Sequence, residues 1–188
     1  MEVYRRFHVR FYVTFLDGAS TSAGFSHGAK EDFVPTPDGG QEVISARFVH
    51  PIEALRAFRA KEMKFMPPQY YLLSTLADIL SGNRNSEAQR VRVRKLSEGP
   101  FGRMVVLPRQ SKIGDGRVML AYEGDEFVGG EAGARHRSTI TPGPGGVSSK
   151  PRKGVNLGLM WAQIPTEIDL QRNIDVFKTG VSTRDAKL

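Results

Sequence analysis

The stretch "FMPPQYYLLSTLADIL", Phe65 to Leu80, predicts a helix with a defined beginning and end. Pro67 and Pro68 fit its first turn, because the backbone N–H groups there have no partner within the helix. Gly82 then supplies the left-handed residue that ends it. The side chains that form one broad apolar face at helical spacing are Leu72, Leu73, Leu76, Ile79 and Leu80. This helix needs an apolar surface to pack on, and its neighbours in the sequence supply one.

The residues before this helix predict strands and a second helix. "QEVISARFV" (Gln41 to Val49) alternates apolar and polar residues as a strand does, and "HPIEALRAFRA", with Pro51 at the first helical position, predicts a short amphipathic helix. Further upstream, "FHVRFYVTFL" (Phe7 to Leu16) is dense in aromatic and β-branched residues and predicts a largely buried strand. The part between these strands is rich in glycine, serine and proline and predicts a long loop.

The segment "NSEAQRVRVRKLSEG" permits two interpretations. Strict alternation at "RVRVR" favours a strand, whereas Ser86 followed three residues later by Gln89 forms a capping box, with Gly99 as a C-terminal stop. We favour a basic helix.

The remainder of the sequence predicts a β-rich extension. Short apolar runs follow one another between turn residues, and 141–154 has the composition of a flexible loop. Asp125 and Glu126 fit a turn between two strands without any metal ion. We therefore divide the chain into domains 1–82 and 83–188. The predicted strands are "RMVVL", "RVMLAY", "STI", "LGLMWAQI" and "IDVF".

Charge and composition restrict the partners. Twenty-seven lysines and arginines against twenty acidic residues leave a net charge of +7, which suits a polyanion such as a nucleotide or a nucleic acid. The chain has no cysteine, so disulfides, zinc–thiolate sites and thiol nucleophiles are excluded. No apolar run is long enough to span a bilayer, and we expect no membrane partner.

At "DGGQEVISARFVHPIEALRAFRAKEMKFMPPQYYLL" the sequence resembles the closing strand and helix of the Nudix hydrolase domain. The Pro-Pro-Gln-Tyr-Tyr motif looks like the peroxisomal branch that hydrolyses coenzyme A and acyl-CoA, and "YEGDE" resembles part of its C-terminal extension. The resemblance spans Phe7 to Glu126. It implies an α/β fold, namely part of a Nudix-type α/β/α sandwich with a mixed sheet plus a β-rich extension. The residues that match the closing helix and the aromatic before it are Phe48, Pro51, Glu53, Ala54 and Leu55.

The resemblance also implies Mg²⁺ or Mn²⁺ as cofactor, held by the carboxylates of the Nudix box. This sequence contains no Arg-Glu and no Glu-Glu dipeptide, and His8 stands where the family has an acidic residue. We therefore expect a truncated chain, the C-terminal part of a longer protein, that does not catalyse diphosphate hydrolysis alone. Glu42 is a candidate auxiliary base or ligand, although a solvated carboxylate at a strand edge is the simpler interpretation.

Candidate substrate-binding residues lie on the two predicted helices. Tyr70 and Tyr71 could stack on an adenine ring, with Gln69 beside them, or belong to the core. Arg90 and Arg94 could meet the phosphates of coenzyme A, or form the solvated face of a helix. The expected ligand is a nucleotide-containing small molecule such as coenzyme A. A non-catalytic protein that binds a nucleotide, coenzyme A or RNA is the alternative, with nucleic acid the less expected ligand.

The last three residues, Ala186, Lys187 and Leu188, are a close variant of the Ser-Lys-Leu peroxisomal address. They predict a peroxisomal location, with the peroxisomal import receptor as a partner, and otherwise a cytoplasmic one.

Overall fold

The computed structural model describes residues 9–13, 48–82, 86–143 and 165–178. The chain divides into two compact units. One comprises Phe11–His50, and the other comprises Met1–Arg10 together with Pro51–Leu188. All the helices and strands that are described belong to the unit that contains Pro51–Leu188. The helices are α1 (Pro51–Arg59), α2 (Pro67–Ile79), α3 (Glu87–Glu98) and α4 (Pro100–Arg103). The strands are β1 (Arg109–Lys112), β2 (Val118–Ala121), β3 (His136–Thr141) and β4 (Glu167–Arg172), with a 3₁₀ turn at Glu126–Val128.

Helices α1 and α2 begin at the prolines that predicted them. At the start of α2 the side-chain oxygen of Gln69 accepts a hydrogen bond from the Met66 N–H at 2.9 Å, so one of the N–H groups before the first turn is satisfied. Gly82 has φ of +92°, in the left-handed region. The predicted beginning and end of α2 are confirmed.

Helix α3 begins with the predicted capping box. The Gln89 N–H donates to Ser86 Oγ at 3.3 Å, and the Ser86 N–H donates to the Gln89 side chain at 3.0 Å. The helix ends at Gly99. The helical interpretation of this segment is confirmed, and the strand alternative is wrong.

The four strands form one antiparallel sheet in the order β1-β2-β3-β4. Leu120 of the inner strand β2 lies opposite Gln110 of β1 and opposite Ser138 of β3, which fixes the register. All residues of β2 are buried, whereas β1 is mostly exposed. The described elements are therefore helices with an antiparallel sheet, and no parallel pair occurs among these four strands.

The main apolar cluster joins α1, α2 and β4. It contains Leu55 and Phe58 from α1, Tyr70 and Ala77 from α2, and Ile168 from β4. The Phe58 and Tyr70 rings pack at 5.1 Å between centroids. This cluster fixes α2 against the sheet.

Helix α2 differs from its predicted burial pattern. Tyr71, Thr75 and Ala77 are buried, while Leu72 and Leu76 of the predicted face are only half-buried. Ile79 of the predicted face is buried and Leu73 packs against the apolar cluster, so the predicted face is buried in part. Helix α2 also buries Tyr71 and Thr75, because it contacts α4 and the sheet as well as α1.

Three strand predictions were wrong within the described residues, and two predicted strands lie wholly or mostly outside them. Residues 9–13 of "FHVRFYVTFL" form no strand and are exposed, and "RMVVL" lies before the first strand. "IDVF" forms a turn, because the chain has already left the sheet at Arg172. Apolar composition indicates β propensity, but strand formation also needs a long-range partner. "RVMLAY" and "STI" are confirmed as β2 and β3, whereas "LGLMWAQI" and residues 41–47 of "QEVISARFV" lie outside the described residues.

Candidate functional site

The centre of the candidate site is a buried hydrogen bond between a tyrosine and a histidine. Tyr71 comes from the first turns of α2 and His136 from the beginning of β3, and their side chains meet with 2.6 Å between the hydroxyl oxygen and Nε2. Tyr71 is 1% exposed and His136 0% exposed. Two polar side chains that are distant in the sequence therefore satisfy each other inside the protein.

The other ring nitrogen of His136 determines the protonation state. Nδ1 lies 2.7 Å from the carbonyl oxygen of Glu123, and a carbonyl only accepts, so Nδ1 carries a proton. Burial lowers the pKa of His136, which favours the neutral ring with Nε2 as an acceptor. Burial raises the pKa of Tyr71, which keeps its hydroxyl protonated. Tyr71 is therefore the donor and His136 the acceptor.

Aromatic rings surround this pair. Phe101 of α4 stacks on Tyr71 at 6.0 Å with an interplanar angle of 10°, and Tyr122 packs against Tyr71 at 5.0 Å and against His136 at 5.1 Å. The Tyr122 hydroxyl donates to Ser138 Oγ at 2.9 Å. Burial raises the pKa of Tyr122 to about 12, so it remains neutral throughout the physiological range.

Arg172 connects the cluster to the outer face of α2. Its guanidinium lies over the Tyr71 ring at 5.7 Å and donates to Thr75 Oγ1 and to Asp78 Oδ2, both at 2.7 Å. The Thr75 hydroxyl in turn donates to the Tyr71 carbonyl at 2.9 Å. Because Tyr71, Thr75 and Asp78 are spaced four and three residues apart, they share one side of α2 and receive the same arginine.

Asp125 organises the connection between β2 and β3. Arg137 binds both of its oxygens, at 2.7 Å from Nε and 2.6 Å from Nη2. The backbone N–H groups of His136 and Phe127 also donate to it, each at 2.8 Å. Burial raises the pKa of Asp125, but these hydrogen bonds outweigh that effect and hold the pKa below its usual value. The turn interpretation of Asp125 is confirmed.

The carboxylate of Asp125 is committed to protein donors. Within the described ranges, no group of three histidine, aspartate or glutamate side chains lies close enough to hold a metal ion. The arrangement of Tyr71, His136, Arg172 and Asp125 is suited to stabilising the junction of α2 with the sheet.

The residues predicted to bind a substrate occupy different surroundings. Tyr71 lies in the buried cluster and Tyr70 in the apolar core beside Phe58, while Gln69 caps α2. The core interpretation describes the position of both tyrosines. Their role in stacking on a base stays a prediction.

The predicted phosphate-binding arginines lie on α3. Arg94 is exposed and Arg90 half-buried, whereas Val93 and Leu96 of the same helix are buried. Arg90 and Arg94 thus lie on a different helix from Tyr71, which belongs to the tyrosine–histidine pair. Glu42, Ala186, Lys187 and Leu188 lie outside the described residues.

The sequence alone did not identify His136 or Arg172 as members of the candidate site. His136 stands between two arginines, which suggests an exposed segment, and it has no metal-ligand spacing to another histidine. The available signal was alternation, since His136, Ser138 and Ile140 are all buried on one side of β3.

Comparison with family models, curated proteins and solved structures found no match to this chain. In the described part of the chain, no helix has the length and apolar character needed to cross a membrane.

Proposed function

We propose that this chain forms the substrate-pocket part of a Nudix-type hydrolase that acts on coenzyme A or a related nucleoside diphosphate derivative. The observation that supports this proposal is the adjacency of the two segments that resemble the family. Pro-x-Glu-Ala-Leu lies in α1 and Pro-Pro-Gln-Tyr-Tyr begins α2, and these helices pack through Leu55, Phe58 and Tyr70. In the family, such a unit positions a substrate beside the metal-binding helix.

The proposal assigns binding, and not hydrolysis, to these 188 residues. Hydrolysis of a diphosphate in this family requires clustered carboxylates that hold Mg²⁺ or Mn²⁺, and the sequence has no paired glutamates to provide them. We therefore expect the purified chain to bind the substrate without cleaving it, with either metal present.

The charge of the chain supports an anionic ligand. The net charge is +7, and α3 carries the half-buried Arg90 and the exposed Arg94 four residues apart, on one side of the helix. Arginine binds phosphate oxygens through two parallel hydrogen bonds, whereas lysine acts as a point charge. The adenosine phosphates of coenzyme A would meet this face of α3.

Calorimetric titration with coenzyme A and ADP-ribose tests the proposal. We expect Arg90→Gln combined with Arg94→Gln to weaken coenzyme A binding by about tenfold or more, since two charge-assisted contacts are removed. Arg117→Gln, which changes an exposed arginine of the β1–β2 hairpin, is the matched control. If neither ligand binds, or if the control weakens binding equally, the proposed pocket is wrong.

A non-catalytic RNA-binding protein is the second candidate, and the same positive charge supports it. Binding to RNA through backbone phosphates falls steeply with salt concentration. A titration with single-stranded RNA at two salt concentrations separates the candidates. Tight, salt-sensitive binding to RNA together with no binding to coenzyme A would select the RNA-binding protein.

The proposed location is the peroxisome and depends on Ala186, Lys187 and Leu188. A fluorescent protein fused in front of the chain should give peroxisomal puncta that disappear when these three residues are deleted. Unchanged puncta would refute the address.

A further inference from the structure

Three consecutive apolar side chains are exposed between α4 and β1. Val105 is 63%, Val106 41% and Leu107 72% exposed. We call Val105–Leu107 the apolar strip. Single exposed apolar residues are common on protein surfaces, but a contiguous exposed run is typical of a contact surface. The strip lies outside the helices and strands, and Met104 leads into it with extended backbone angles, φ −67° and ψ 132°.

The surroundings of the apolar strip are positively charged. Arg103 precedes it, Arg109 and Lys112 follow it, and all three are exposed. Between Glu98 and Asp115 the sequence contains no acidic residue. Arg103 donates to the Glu98 carbonyl, which holds the guanidinium near the end of α3 without neutralising its charge. A partner that covers the strip must therefore offer apolar side chains together with negative charge.

We propose that the apolar strip is a docking site for an extended acidic peptide segment of a partner protein. Apolar side chains of that segment cover Val105 and Leu107, and its carboxylates meet Arg103 and Arg109. An extended segment suits the strip because alternate side chains of an extended peptide point to the same side, so two of them can contact Val105 and Leu107 together.

A second copy of this chain is a poor occupant of the same surface. Antiparallel pairing of two strips centred on Val106 places Arg103 of each copy opposite Arg109 of the other. Like charges directly opposite one another destabilise a strand pair. Charge thus favours a different, acidic partner.

Fluorescence anisotropy with a labelled peptide that carries two valines flanked by two aspartates at every second position, Asp-Ser-Val-Ser-Val-Ser-Asp, tests the proposal, because these four side chains then point to one side. The intact chain should bind this peptide and should bind the versions with lysine for aspartate, or serine for valine, at least about tenfold more weakly. The double variant Val105→Ser, Leu107→Ser and the single variant Arg109→Glu should each weaken binding by about tenfold or more. Phe127→Ser is the matched control, because Phe127 is an exposed apolar residue of the β2–β3 connection, and it should change binding less than about twofold.

Thermal melts of all variants show whether the chain still folds. The melting temperatures should be unchanged, since every substituted side chain is exposed. The proposal is overturned if the valine–aspartate peptide does not bind, or if the lysine peptide binds as tightly. It is also overturned if sedimentation finds a dimer that the Val105→Ser, Leu107→Ser variant abolishes, since the occupant is then a second copy.

Discussion

The hydroxyl of Tyr71 has a function that its ring does not have. The ring packs among Phe101, Tyr122 and Arg172, and a phenylalanine could replace it there. The hydroxyl alone provides the proton for His136 Nε2. Since that nitrogen is fully buried, no water can replace the donor without rearrangement.

Tyr71→Phe should therefore lower the free energy of unfolding by about 1–3 kcal/mol, the cost of leaving a buried acceptor without a partner. Urea denaturation measures the change. Tyr12→Phe is the control, because Tyr12 is 83% exposed and its hydroxyl is accessible to water, so its effect should stay within about 0.5 kcal/mol. Equal stability of Tyr71→Phe and the intact protein would contradict the assignment of donor and acceptor.

The lowered pKa of His136 should make the stability of the fold depend on pH. Burial first, and then the charge of Arg172, hold its pKa below the ordinary value of 6.5. The unfolded chain binds the proton more readily, so stability is present above about pH 6.5 and is lost as the pH falls below it, by at most about 1.4 kcal/mol per pH unit for one proton. Asp125 has a lowered pKa as well, and its contribution is lost only in the more acidic range below its usual value of 3.8.

Urea denaturation between pH 7 and pH 5 tests this, with His136→Gln as the comparison. That variant should be less stable than the intact protein at pH 7 but should lose less stability on acidification. Parallel pH profiles for the two proteins would show that another group titrates in this window.

The connection between β2 and β3 depends on one carboxylate. Asp125 binds Arg137, which follows His136 on β3, and it also binds the backbone N–H of His136 itself. Because the same segment positions His136 for Tyr71, the connection and the buried cluster are coupled.

Asp125→Asn should accelerate amide hydrogen exchange at Phe127 and His136 by about tenfold or more, since both N–H groups lose a charged acceptor. Glu131→Gln, an exposed change in the same connection, should leave those rates within about twofold. Exchange that is equally fast in both variants would show that the carboxylate does not hold the connection.

The capping box at the start of α3 can be tested by substituting Ser86. Ser86→Ala removes the acceptor for the Gln89 N–H at the start of α3 and should cost about 1 kcal/mol of stability by urea denaturation. Ser97→Ala, at the exposed opposite end of α3, is the control and should cost less. A smaller effect at Ser86 than at Ser97 would contradict the capping box.

The helices were predictable because their signals are local. Pro51, Pro67 and the pair Ser86 and Gln89 each mark the beginning of a helix within a few residues of sequence. The strands were less predictable. β1 reads "RQSK" and is mostly exposed at one edge of the sheet, so it carries no apolar alternation to detect.

At the scale of the whole molecule, the cluster around Tyr71 results from distant pairings. Tyr71 and His136 are 65 positions apart, and Thr75 and Arg172 are 97 apart. No local pattern connects such residues, because the contact depends on how α2 packs against the sheet. The proximity of Tyr70 to α1 was predictable in part, since α1 and α2 are adjacent in the sequence and both are apolar on one side.

Substitution within the apolar cluster that joins α1, α2 and β4 is the strongest test at this scale. Phe58 is buried, stacks on Phe65 and packs against Tyr70, so Phe58→Ala removes contacts in two elements and leaves a cavity. We expect a loss of about 3–5 kcal/mol, which is a large part of the about 5–15 kcal/mol typical of a folded domain. Urea denaturation followed by circular dichroism measures this loss.

Phe127→Ala provides the comparison for Phe58→Ala, because it removes the same ring from an exposed position and should change stability by less than about 0.5 kcal/mol. If both substitutions cost the same, the cluster of α1, α2 and β4 does not stabilise the fold. If Phe58→Ala also broadens the transition, the helices and the sheet unfold separately once the cluster is lost, since cooperativity requires contacts between them. A transition that stays sharp at lower urea would show that the Tyr71–His136 and Arg172–Asp78 contacts keep α2 joined to the sheet without the Phe58 ring.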